Sequence, residues 1–134
     1  MTSDSLTYIC VALLGLLVFV LGANVTRHRV QRGATGDQMP TDPSDRLFIA
    51  QRAHGNATEY APSLAVLLVL GSVLTDGWWV AILGVTAVIV RLLHATGMLR
   101  SATLASHGPL RDVGALGTYL TGIALGVTVL VAAF

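Results

Sequence analysis

Four long apolar runs divide this chain, with three polar stretches between them. Leu6 to Val25 carries no charge over about 20 residues, enough for one membrane-spanning helix. Gln31 to Thr41 is polar and rich in Gly, Pro, Asp and Thr. A second helical segment follows, and its far half, Ser63 to Thr75, is again uncharged. Asp76-Gly77 reads as a tight turn, and Trp78-Trp79 behind it suits a membrane interface. A third helix runs from there to about Gly97, Ser101 to Pro109 is a polar loop, and Val113 to Phe134 is the fourth apolar span. The pattern predicts one all-α membrane domain over residues 1–134, a four-transmembrane-helix bundle with helices over about 6–27, 43–75, 78–99 and 111–134. The first run is not read as a signal peptide. Asp4 stands where a positive n-region belongs, and Arg27, Arg29 and Arg32 follow the run.

The second segment departs from a plain span. Asp42 suits the N-cap, Pro43 the first helical position and Asp45 the first turn. A helix from Pro43 to Thr75 has about 33 residues and is about 50 Å long, against a hydrocarbon core about 30 Å thick. Its first half must project from the membrane or line a polar cleft. Pro62 leaves the Thr58 carbonyl without its helical donor, so a kink is expected beside Glu59. Arg52, Asn56 and Glu59 fall at i, i+4 and i+7, within an arc of roughly 60°.

Composition agrees with a membrane bundle. Of the 134 residues 54% are hydrophobic and only 11% charged, and the mean hydropathy is +0.73. A soluble domain of this size would expose large apolar patches at that composition. The net charge of +1 gives no footing for nucleic acid. The single cysteine, Cys10, excludes a disulfide within the chain. No zinc spacing, nucleophile elbow or phosphate-binding glycine loop is present. Gly122-x-x-x-Gly126 resembles a helix-packing motif. All basic residues are arginine; Arg27, Arg29, Arg32 and Arg46 flank the first long loop, with Arg52 close by, and Arg100 and Arg111 flank the second. By the positive-inside rule loops 28–42 and 100–110 are cytoplasmic and both termini lie outside, as an even number of spans requires.

The polar residues within the spans carry the candidate chemistry. Glu59, the only glutamate, lies roughly 24 Å along its helix from Thr75, and Arg91 roughly 19 Å from the tryptophan pair. The two depths allow an ion pair, within one chain or across a subunit boundary. A charge at the centre of a bilayer costs on the order of 2.5–3.5 kcal/mol even on a lenient scale, so such residues mark function or are neutralised. Arg52, Asn56, Tyr60 and His94 crowd the same half, more hydrogen-bonding groups than one ion pair needs. This favours a ligand site over a purely structural pair. His94, one turn from Arg91, joins that group, while His54 falls off the Arg52–Glu59 face and reads as a loop-side or interface residue. Tyr60 on its own reads more simply as an interface anchor.

At this point the residues resemble a known family. Arg52-x-x-x-Asn56-x-x-Glu59-Tyr60-x-Pro62 on the second helix and Arg91-x-x-His94 on the third are similar to the membrane-associated proteins in eicosanoid and glutathione metabolism, the MAPEG family. His54-Gly55-Asn56 looks most like the bacterial inner-membrane branch. The resemblance implies a homotrimer of four-helix subunits in the bacterial inner membrane, with glutathione or another small thiol bound in a cleft between subunits. It implies ligand contacts at Arg52, Asn56, Glu59, Tyr60 and His94, alongside Arg91, with Arg27 or Arg29 reaching a glutathione carboxylate. It also implies glutathione transferase or peroxidase chemistry on lipophilic electrophiles by thiolate attack. One departure bears on catalysis: an ungapped match puts Ala105 where catalytic members carry a thiolate-stabilising arginine, and Met98 where a tyrosine is common. No catalytic residue is therefore assigned. Arg100, His107 and Arg111 are the nearby cations that remain. The alternative is a non-catalytic member that binds a lipid or thiol and presents it to a partner. A proton-coupled transporter ranks behind both, since one membrane acid and no inverted repeat give it little support.

The orientation is checked by labelling single cysteines in intact cells. A membrane-impermeant thiol reagent is expected to modify cysteine placed at Asp4 or Asp76 and to spare cysteine at Gly36. Labelling at Gly36 would reverse the topology.

Overall fold

The computed structural model describes residues 2–134. It contains α1 (Ser3–Arg32), α2 (Arg46–Leu74), α3 (Trp78–Arg100) and α4 (Pro109–Ala132). All four are long and apolar enough to cross a membrane.

The spans stand where the apolar runs put them, but the helix ends differ. α1 is 30 residues long and extends beyond 6–27 at both ends. Thr2 caps its start by accepting from Ser5 N–H at 3.2 Å, and Gly33, at φ +75°, closes it with an N–H bond to the Val30 carbonyl. Arg29 and Arg32 are therefore helical residues rather than loop residues, and Arg27 lies inside the helix as expected. α2 starts at Arg46, three residues later than expected, and its 29 residues measure about 43 Å. Asp42 does not cap it. The Asp42 carboxylate instead accepts from Ser44 N–H (2.9 Å) and Oγ (2.6 Å) in a local turn. Asp45 is the N-cap, accepting from Leu47 and Phe48 N–H at 2.8 and 3.2 Å. Arg32 selects it, since its Nη2 meets the two Asp45 oxygens at 2.6 and 2.5 Å and so ties the end of α1 to the start of α2. α2 then continues as one helix through Pro62.

α2 and α3 touch each other and both outer helices, whereas α1 and α4 do not meet. The buried stripe of α2 is mostly small: Ala50, Ala53, Ala57 and Ala61, then Leu64, Leu68 and Gly71. Small residues let helices approach closely where lipid offers no hydrophobic drive for packing. One core cluster, near the short-turn end, joins Leu14, Leu64, Leu68, Val80 and Leu125. A second, toward the loops, joins Leu21, Ala53, Ala57, Ala95 and Met98. The large apolar side chains of α4, such as Leu120, Ile123 and Val127, point outward. The loops themselves are joined: Leu104 N–H donates to the Pro43 carbonyl at 2.8 Å, and Arg46 Nη1 to the Ser101 carbonyl at 3.1 Å.

α3 and α4 meet through glycines, though not through the expected motif. A Cβ on Gly114 would lie 2.5 Å from the His94 backbone nitrogen, and one on Gly97 would lie 2.5 Å from that of Arg111. At Gly122 a Cβ meets only a Leu64 methyl at 3.7 Å, and at Gly126 it meets open space. The close crossing thus lies toward the start of α4, where two backbones touch.

Two outcomes follow. Gly114→Ala is expected to cost about 1–3 kcal/mol through overpacking against rigid backbone, and Gly126→Ala to stay within about 0.5 kcal/mol, in thermal melts of detergent-solubilised protein. Asp45 gives a pH signature. The Arg32 bond holds its carboxyl below the ordinary 3.8 against the opposing effect of burial, with the Phe48 and Leu47 N–H groups adding to the lowering. Its stabilisation is therefore complete above the unfolded value and lost as pH falls through the lowered one. Melting temperature is expected to fall less steeply between about pH 5 and about pH 2 in Asp45→Asn than in wild type. Equal slopes would remove Asp45 from the acid response.

Candidate functional site

The stripe expected on α2 is real, but its members face different surroundings. Relative to the buried face centred on Ala53, Ala57 and Ala61, Asn56 and Tyr60 sit at the rim, and Arg52 and Glu59 lie roughly 40–60° farther round than Asn56. Asn56 and Tyr60 are accordingly half-buried, and Arg52 and Glu59 are exposed. This placement decides the pairing of Arg91. The expected ion pair with Glu59 is not made within the chain: among the described residues the arginine–carboxylate pair is Arg32–Asp45, and the other close contact to a carboxylate is His107 with Asp112. Arg91 is 1% exposed, and its Nη2 donates to Asn56 Oδ1 at 2.8 Å. Its Nη1 reaches Thr118 Oγ1 at 3.5 Å, and that hydroxyl itself donates to the Gly114 carbonyl at 2.7 Å. The guanidinium carbon lies 5.5 Å from the centre of the Tyr60 ring, a cation–π approach. Arg91 Nε has no partner.

Tyr60 is more than an interface anchor. Its hydroxyl donates toward that of Tyr119 at 3.4 Å, and the rings meet edge to face with centroids 5.7 Å apart. Together they wall a mainly apolar groove of about 340 Å³ between α2 and α4, which continues past Ser63 and Gly122. Thr118 and Tyr119 escaped the reading of the sequence. The rotation of α4 cannot be read from a helix whose outward face is as apolar as its inward one.

His94 is buried beside Arg91, as the spacing implied, but its visible bond is to the backbone. Its Nδ1 lies 2.8 Å from the Arg111 carbonyl, which only accepts, so Nδ1 carries the hydrogen. His94 therefore joins α3 to the first turn of α4 where Gly97 and Gly114 let the two backbones touch.

A second polar cleft lies on the other side of α2, against α1. It has about 310 Å³ and is lined by Gly22, Thr26, Arg29, Gln51 and His54. His54 points at Gly22, where a Cβ would be 3.2 Å from its Nε2. Of the two arginines offered for this end of α1, Arg29 lines the cleft, whereas Arg27 is exposed outside its lining.

The departures from the family pattern also have places. Met98 is buried among Leu21, Ala53, Ala57 and Ala95 and so faces the core. Ala105 is exposed on the α3–α4 loop, its N–H held by Thr103 Oγ1 at 3.2 Å. Arg111 Nη1 donates to the Leu104 carbonyl at 3.3 Å, which sets this guanidinium beside the Ala105 peptide. His107 is turned to Asp112 at 3.3 Å, and Arg100 is exposed.

No curated protein matches the chain. The profile of the MAPEG family matches residues 7–131, nearly the whole sequence. With four membrane-length helices in the expected order, the chain belongs to the MAPEG family of integral membrane proteins, which includes glutathione transferases and related membrane proteins.

Proposed function

We propose that this protein binds glutathione, or a closely related small thiol, at the Arg52–Asn56–Glu59 stripe and delivers its thiolate to lipophilic electrophiles dissolved in the bilayer. One observation carries the reading: Arg52 and Glu59 are charged, exposed and without a partner among the described residues, on either side of an asparagine already bonded to Arg91. Opposite charges on one helix face match a ligand that bears both carboxylates and an ammonium. Arg52 takes a carboxylate and Glu59 the ammonium, by charge-assisted bonds. The Tyr60–Tyr119 groove beside them is apolar enough for the electrophile. In the reaction the sulfur forms a bond to the electrophilic carbon and the leaving group departs with the electrons of its own bond. Arg111, whose guanidinium lies beside the Ala105 peptide, stands in for the missing arginine and holds the thiolate charge.

The second cleft gives the assembly its logic. Arg29 and His54 face away from Arg52 and Glu59, so one ligand meets both sets only when two copies sit side by side. One face of α2 then packs on the α1–α2 cleft of the next copy. Such a head-to-tail contact closes as a ring, and three is the number that the family resemblance implies. In this arrangement Arg29 of a neighbouring copy takes the second carboxylate. The loops face the cytoplasm of a bacterium, with the protein in the inner membrane.

The exposed Ala105 favours a second reading, in which the protein holds a thiol or a lipid for a partner and performs no chemistry. One set of measurements separates the readings. Wild type, Arg52→Ala and Glu59→Gln are melted in mild detergent with and without glutathione, and their masses are taken by light scattering. Binding predicts a glutathione-induced rise in wild type that shrinks in both variants, with about 10–100-fold weaker affinity and an intact trimer. Turnover of a soluble aryl halide that falls in Arg111→Gln supports catalysis, and binding without turnover supports the carrier. No shift in wild type, with collapse of both variants, leaves an internal ion network. A monomer at all concentrations removes the shared site.

A further inference from the structure

Arg91 is buried, charged and paired with no carboxylate, and its shortest bond is to one amide oxygen. That bond has a consequence for Asn56. A guanidinium only donates, so the amide must turn Oδ1 toward Arg91, and Nδ2, the other arm of the same planar fork, is held away from that bond. Arg91 Nε is the only side-chain nitrogen or oxygen among the described residues that is fully buried without a partner. Asn56 Nδ2 makes no hydrogen bond either and is not fully buried, so it is open to a further partner on a half-buried residue whose stripe neighbours, Arg52 and Glu59, are exposed.

We infer that Arg91 is a positioning residue. It never touches the ligand, and by locking the Asn56 amide it fixes the stripe as donor at Arg52, donor at Asn56 and acceptor at Glu59. An asparagine free to rotate would offer a donor or an acceptor alike and would discriminate little. A locked one accepts only a ligand with a carbonyl or carboxylate oxygen placed between its acidic and its ammonium groups. The Arg91 charge also polarises the amide and strengthens Nδ2 as a donor. Thr118, held by its bond to the Gly114 carbonyl, and the Tyr60 ring keep the guanidinium in place. The inference rests on the glutathione reading above and names the pattern that the same stripe recognises.

Asn56→Asp tests it, because stability and binding should move in opposite directions. The new carboxylate pairs with Arg91, gives a buried cation its counter-charge and raises the melting temperature of the protein without ligand by a few degrees. The same change replaces the free donor with an acceptor, so glutathione affinity falls about tenfold or more. Arg91→Met is the complement. It removes the buried charge at similar volume, so the fold survives while the amide loses its lock and affinity drops. Arg91→Lys, another pure donor, restores part of that affinity. Melts and glutathione titrations of the four proteins in one detergent read all of this. Wild-type binding that persists unchanged in Asn56→Asp or in Arg91→Met overturns the inference and leaves the glutathione reading standing. Absence of any glutathione shift in wild type overturns both. Loss of binding in Arg91→Met with no recovery in Arg91→Lys also counts against a positioning role.

Discussion

A guanidinium inside a bundle of membrane helices, held by an amide, a hydroxyl and an aromatic face with its Nε left unpaired, constrains the surrounding structure. Arg91 cannot reach water from a position 1% exposed, so its neighbours must supply the hydrogen bonds that water would have made. Those neighbours come from two helices: Asn56 and Tyr60 from α2, Thr118 from α4. Both must stand close to α3, and the sequence provides for that with small residues. The alanine stripe of α2 and the glycines at 97, 114 and 117 bring the backbones within reach. The His94 bond to the Arg111 carbonyl holds the same crossing from the loop side. Replacing any one of these small residues by a larger one would do more than crowd a helix contact. It would move a hydrogen-bond partner away from a buried charge.

The spans were legible in the sequence because the bilayer imposes a length, and a run such as Leu6–Val25 meets it without help from tertiary structure. The helix ends were less legible. Asp42 and Asp45 are both competent caps three residues apart, and the choice between them falls to Arg32, a partner distant in sequence. The glycine pair at 122 and 126 has the spacing of a packing motif, but spacing does not say which neighbour a helix turns toward. In the site, helical geometry put Arg52, Asn56 and Glu59 on one arc correctly. What it left open was where that arc lies relative to the buried face, and roughly 40–60° of rotation separates a residue bonded to Arg91 from one left outside. Glu59 looked like the natural partner of Arg91 on charge alone. Asn56 took that place on geometry.

α2 acts as a partition with polar groups on both sides. On one side it offers Arg52, Asn56 and Glu59, and on the other Gln51 and His54, facing Arg29 across the cleft to α1. A helix in a self-sufficient bundle would turn its polar groups inward and its apolar groups to lipid. Here the apolar core takes the alanine face, Gln51, His54 and Asn56 are half-buried at its flanks, and Arg52 and Glu59 are left exposed. Glu59 lies roughly 24 Å from the Thr75 end of the span, within a hydrocarbon layer of about 30 Å. A carboxylate facing lipid at that depth is costly, and snorkelling serves a long basic side chain better than a short acidic one. Covering it from outside the chain resolves the cost. Under the proposed function, the polar groups of a neighbouring copy and a small zwitterion cover that surface more favourably than lipid does. The exposed charges that a single chain leaves facing lipid are therefore the same ones on which the proposed ligand site rests, beside an apolar groove.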